Sequence, residues 1–221
     1  MIRASFDVAS AKRQVRIVSL LDAAESAGVV PIRITQFHAA AYLSNVLAPV
    51  WELRPLDGKL LKRRDGPFYP EIQQDLDRMV GQGTVIISNV SHAYDQSSGW
   101  RLEGSYHLNR SFADGIIAKI NSFAEEHEMV IFVRELFFAL ATMTEKELDQ
   151  AISQDATYMD PMIDLGSVID FDEWTHRNFS ANAARHFSAF TNARQFTTPG
   201  EKVHLYVSHM KTRVERALAR P

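Results

Sequence analysis

The sequence predicts a mainly α-helical protein with a small β-hairpin, arranged as a winged-helix-like domain over residues 1–110 followed by a helical domain over 111–221. Three observations carry this expectation. Apolar residues recur at three- and four-residue spacing through most of the chain, the signature of helices with one buried face. Glycines follow the first and third of these apolar stretches, where a helix needs a left-handed stop. One stretch instead alternates residue by residue, as a half-buried strand does.

In chain order, Val15, Ile17, Val18, Leu20, Leu21, Ala24 and Ala27 trace a first helix that ends at Gly28. "VVPIRI" is short, β-branched and interrupted by proline, so it is an edge strand or an extended connection. A second helix begins near Thr35, sets Phe37, Ala40, Leu43 and Leu47 on one face, and closes at Pro49. In "VWELRPLDGKLLKRRDG", Asp57-Gly58 predicts a turn between two short extended runs, either a small hairpin or a long ordered loop. Helix three places Tyr69, Ile72, Leu76 and Met79 in one stripe and stops at Gly81 and Gly83. "TVIIS" is then a buried strand and "NVSHAYDQSSG" a polar loop. The next strand puts Trp100, Leu102, Gly104, Tyr106 and Leu108 on its buried face. Three helices followed by a two-stranded hairpin is the order of a winged helix.

The second half reads as helical. Phe112, Ile116, Ile120 and Phe123 form a stripe, and "MVIFVRELFFALATM" is a largely apolar helix. Thr144 with Glu147 is a capping box. A helix from Ala181 to Gln195 carries Ala184, Phe187 and Phe190. Thr198, Pro199 and Glu201 open a last one that buries Val203, Tyr206, Val207, Met210, Val214 and Leu218. A divergent second winged helix is the alternative for this half.

With 221 residues, 46% of them hydrophobic, the chain has material for a sizeable core. The net charge of −3 gives no global attraction to nucleic acid or membrane, so such binding requires a local patch. No cysteine is present, which excludes disulfides, thiol nucleophiles and thiolate metal sites. The absence of an apolar leader or spanning segment leads to the expectation of a cytoplasmic protein without membrane contact. Charge is distributed unevenly. Eleven acidic residues between His127 and Glu173 face only Arg134 and Lys146, whereas the chain after Trp174 is basic, in keeping with solvated helix faces or a pair of docking surfaces.

Nothing in the chain sets out a reaction. "VGQGTVII" runs helix, glycines, strand, the reverse of a phosphate cradle. "HEMVI" lacks the second histidine of a zinc-protease helix, which would fall at Ile131. The eight histidines are scattered, and the acidic run from Asp149 to Asp172 has no glycine-punctuated calcium loop. No serine sits in a nucleophile elbow, so catalytic residues, metal and cofactor are all expected to be none.

A winged helix raises the reading of a DNA-binding transcriptional regulator, with helix three in the major groove. Off its apolar stripe, however, helix three carries Glu71, Gln73, Gln74, Asp75, Asp77 and Arg78, a net negative face that phosphates repel. The wing "SHAYDQSSG" has no lysine or arginine. Lys59, Lys62, Arg63 and Arg64 remain as either a solubilising turn or a sequence-independent clamp on nucleic-acid backbone.

"AAAYLSNVLAPVWEL", "PLDGKLLKR" and "GPFYPEIQQDLDRMVGQGTVIIS" together resemble the middle component of bacterial three-component ABC-ATPase systems, related to the accessory subunit of Lamassu-type anti-phage defence. The resemblance covers roughly Val15 to Ser88. It implies a non-catalytic subunit whose partners are an SMC-like ABC ATPase and a third, effector component, similar in role to the winged-helix accessory subunits of SMC complexes. Trp51, Phe68 and Tyr69 are the expected partner-binding residues. The aromatic pair Phe68-Tyr69, held between Pro67 and Pro70, is either a rigid apolar anchor of the kind that carries interface energy or a helix N-terminus pinned into its own core, the latter at least equally for Tyr69, which belongs to the stripe of helix three.

Overall fold

The computed structural model describes residues 7–55, 58–95, 99–171, 178–190 and 198–219. Helices dominate, with small antiparallel sheets. Helix α1 (Val8–Ser26) starts under an Asp7 cap and ends as its glycine predicts. Gly28 adopts φ 73°, its N–H donates to the Glu25 carbonyl, and the Val29 N–H donates to Ala24, the paired bonds of a Schellman stop. Strand β1 (Ile32–Arg33) leads directly into α2 (Ile34–Leu47). No charged side chain interrupts α2, and its residues are buried on every face from Gln36 to Leu47, not on the single face its apolar spacing suggests. It is the central helix, and the second half of the chain packs around it.

After a 3-10 turn (Ala48–Trp51) come β2 (Lys59–Arg63) and β3 (Gly66–Phe68). The β2–β3 hairpin turns at Arg64–Asp65 with Gly66 at φ 125°, and the turn expected at Asp57-Gly58 falls partly outside the described residues, which do not include Asp57. Helix α3 (Pro70–Gly81) buries Tyr69 and its whole predicted stripe, and it closes on Gly83 with the same paired bonds as α1. Strands β4 (Val85–Asp95) and β5 (Gly99–Leu108) pair antiparallel through most of the segment expected to be a loop. A bulge between Ser88 and Ser91, with Asn89 at φ 51°, lets the ladder continue beyond "TVIIS". The side chains of Trp100 and Leu102 lie outside the description, while Tyr106 and Leu108 are buried as the alternation requires.

Helices α4 (Arg110–Asn121), α5 (Ala124–Leu140) and α6 (Glu145–Ala151) follow, the last with the expected Thr144/Glu147 capping box. Strand β6 (Val168–Asp170) precedes α7 (Phe179–Phe190) and α8 (Pro199–Leu218), which opens on the Thr198/Glu201 capping box. The helix expected to reach Gln195 is described only to Phe190. Of the apolar residues predicted for α8, Val203 to Val214 are buried and Leu218 is exposed.

The sheets are ordered β1-β5-β4 and β3-β2-β6. In the second, Leu60 pairs with Ile169, so the segment between α2 and α3 is tied to the far half of the chain. Among the described residues, one buried cluster runs from Ile17 through Tyr42 and Phe132 to Val207. Among the described residues, no helix is long and apolar enough to cross a membrane.

Candidate functional site

The sequence-predicted site residues do not form one surface. Tyr69 is 0% exposed. Its hydroxyl accepts from Asn45 Nδ2 at 2.8 Å and its amide donates to His38 Nδ1, so it is a core residue and presents nothing to a partner. Trp51 is half-buried, with its ring 5.9 Å from that of Phe132, and it borders a shallow hollow beside Pro199 and His204. Phe68 is half-buried at the end of β3. The Arg63 guanidinium lies 3.7 Å from its ring centroid and the His38 ring 5.0 Å away.

The basic quartet is dispersed. Alternation along β2 turns Lys62 inward, where it is buried and its Nζ donates to the carbonyls of Ile163 (2.6 Å) and Asp160 (3.3 Å) over the Tyr158 ring. It anchors a loop and is not a clamp. Arg63 is taken up by Phe68, leaving Lys59 and Arg64 exposed at opposite ends of β2, roughly 16 Å apart along a strand.

Helix α3 is also less acidic outside than its sequence implies. Asp75 is buried and accepts from Ser10 Oγ, Arg13 Nε (2.7 Å) and Arg78 (2.8 Å), bracing α1 against α3. Gln74, Asp77 and Arg78 form the exposed face, near neutral and without a cluster of cations.

A concave region adjoins this face. Two hollows, of about 440 and 280 Å³, share the walls made by Ile34–Thr35 and by Asp65–Pro67. The larger reaches Ser105 and Glu103 on β5 and Asp149 on α6; the smaller reaches Phe68, Tyr106, His38 and Asp77. Arg33 spans the larger one, donating to both Asp149 oxygens at 2.6 Å. Burial lowers the His38 pKa to about 4, against the raising effect of its bond to Gln73, with nearby Arg63 adding a smaller lowering. The ring is therefore neutral, its Nδ1 accepting from the Tyr69 amide and its Nε2–H donating to Gln73 Oε1.

Elsewhere, α4 leaves its stripe largely uncovered: Phe112 is 60% and Phe123 52% exposed, and only Ile120 is buried. The most saturated polar group is Asp155, fully buried behind α2. Its carboxylate accepts from the Tyr42 and Tyr206 hydroxyls (both 2.7 Å), the Ser180 hydroxyl and the Thr157 and Tyr158 amides. Burial first, then Asp155, push the Tyr42 pKa well up, so this hydroxyl stays protonated and donating. This network ties α2, α7 and α8 together.

Sequence reasoning missed Arg33, Ser105 and Asp149 as neighbours. They are brought together by the β1–β5 pairing and by α6, which no local motif signals. Comparison with protein-family models, with curated proteins and with solved structures finds no match to the chain.

Proposed function

We propose that this chain is a winged-helix-like, non-catalytic accessory subunit of an SMC-like ABC-ATPase assembly in anti-phage defence, and that it binds protein partners through that domain. The observation that carries the reading is the combination of element order and surface charge. The order α1, β1, α2, β2, β3, α3, β4, β5, with one sheet paired β1-β5-β4, supports a winged-helix-like reading in which the β2–β3 hairpin is an insertion. The face of its third helix, Gln74, Asp77 and Arg78, lacks the cationic row that a phosphate backbone requires. The β2–β3 insertion adds a second departure from a DNA-reading head, because it lies between α2 and α3 and its Phe68 packs against His38 of α2. Lys59 and Arg64 remain for a weak, sequence-independent backbone contact within the assembly.

The test is DNA binding by the isolated chain at physiological salt, with its own promoter and random duplex as probes. The reading predicts weak, salt-sensitive binding without sequence preference, or none. A promoter footprint at nanomolar concentration with a large specificity ratio would instead make the protein a transcriptional regulator.

A further inference from the structure

We propose that the outer edge of β4 is a self-association surface, on which the β4 strand of a second copy of this chain pairs antiparallel to give one sheet in the order β1-β5-β4-β4-β5-β1. The inference stands apart from the proposed role, since it concerns an edge that the fold itself leaves open.

Strand β4 is bonded by β5 on one side and ends its sheet, so backbone N–H and C=O groups that no neighbouring strand takes up face outward along its other side. The remaining sheet edges among the described residues are blunted. β1 is two residues long and runs straight into α2, β3 is three residues with Pro67 in its middle, and β6 is three residues. β4 runs for eleven residues. From Val85 to Tyr94 it carries no lysine, arginine, aspartate, glutamate or proline, the residues by which an edge normally turns a second strand away. The bulge between Ser88 and Ser91 bends the strand, so the run open to pairing is the regular one beyond it, up to Asp95.

Side-chain placement says which strand fits. Alternation puts Val90, His92 and Tyr94 on one face, and all three are exposed, Val90 at 52% and Tyr94 at 63%. Val90 and Tyr94 lie symmetrically about His92. A second β4 laid antiparallel with its His92 opposite this one therefore sets Val90 of each chain against Tyr94 of the other. These are two pairs of an aromatic with a β-branched side chain, a combination that stabilises sheets across strands. A charged segment finds nothing to read on an uncharged strand, whereas a like strand meets no repulsion. The apolar stripe of α4 is the competing exposed face. Lys119 lies in its middle, 5.3 Å from the Phe123 ring, and a second copy docked there would bring two ammonium groups together.

The experiment is light scattering of the full chain and three variants across a concentration series. The unaltered chain should pass from monomer to dimer as concentration rises. Val90→Lys with Tyr94→Lys sets like charges opposite each other across the dimer axis and should weaken the dimer by about tenfold or more. Val90→Lys with Tyr94→Glu sets opposite charges there instead and should bring the affinity back to within about threefold of the unaltered chain. Phe112→Ser with Phe123→Ser, on α4, should change it less than about twofold. Should a β4 variant fail to fold, hydrogen exchange of the unaltered chain is read in its place: amides between Ser91 and Asp95 should exchange more slowly at high than at low concentration. A monomer at every concentration, equal dimerisation of the two β4 variants, a dimer lost only with the α4 change, or exchange independent of concentration overturns the edge.

Discussion

Replacing Asp155 with alanine should be among the most damaging single changes in this protein, and the structure allows its cost to be worked through. The carboxylate satisfies five donors. Two of them keep other partners once it is gone: the Ser180 hydroxyl still donates to Thr157 Oγ1 at 2.7 Å, and the Thr157 amide to Ser180 Oγ at 3.1 Å. The Tyr42 hydroxyl, the Tyr206 hydroxyl proton and the Tyr158 amide are stranded. At about 1–3 kcal/mol for each buried unsatisfied group, and with incomplete additivity, Asp155→Ala should cost about 4 kcal/mol. In a chain of this size that lowers Tm by roughly 8–16 °C. Urea denaturation followed by circular dichroism reads the loss as a lower midpoint at unchanged slope. Adding Tyr42→Phe and Tyr206→Phe removes two of the three stranded donors but frees the Ala156 amide that donates to the Tyr206 oxygen, so about 1 kcal/mol should be recovered relative to Asp155→Ala alone. A loss below about 1 kcal/mol with the fold intact, or no recovery in the triple variant, would refute the reasoning.

Three further outcomes follow from the same geometry. His38 has a folded pKa of about 4 against an ordinary 6.5, so below pH 6.5 the unfolded chain takes up a proton the folded chain refuses; stability should fall by about 3 kcal/mol between pH 6.5 and 4, and His38→Gln should flatten that limb in urea titrations at both pH values. Lys62→Met should cost about 2 kcal/mol by stranding the Ile163 and Asp160 carbonyls, while leaving any DNA affinity measured by gel shift unchanged; a drop in DNA affinity instead would return Lys62 to the backbone-contact set. Asp75→Ala should cost about 3–5 kcal/mol, because it leaves the nearly buried Arg13 guanidinium unpaired, and Asp75→Ala with Arg13→Met should be milder than Asp75→Ala alone in thermal melts.

How much was legible in the sequence depended on the range of the interaction. The stops at Gly28 and Gly83, the capping boxes at Thr144 and Thr198 and the stripe from Tyr69 to Met79 are decided within a turn or two of helix, and the structure carries each of them. The uncharged run of α2 was a signal that burial extends beyond one face. The fate of the basic quartet was not local. Lys62 turns inward because β2 pairs with β6 and its ammonium meets carbonyls some hundred residues downstream, so no window around "KLLKRR" distinguishes it from its exposed neighbours. Asp75 likewise looks like a surface acid until Arg13 of α1 is brought beside it. The exposed stripe on α4 shows the converse, since helical spacing reports amphipathicity but not whether this chain covers the apolar face.

The most direct test of the proposed role is stoichiometric co-purification. The tagged chain, expressed from its native locus, is isolated at physiological salt, and its companions are identified by mass spectrometry and weighed by light scattering. The account predicts a defined complex containing an ABC-type ATPase with a long coiled coil, whose nucleotide hydrolysis resides in that subunit and not in this chain. Recovery of the chain alone or solely as a self-associated oligomer, or ATP turnover abolished by a point change within it, would contradict the account.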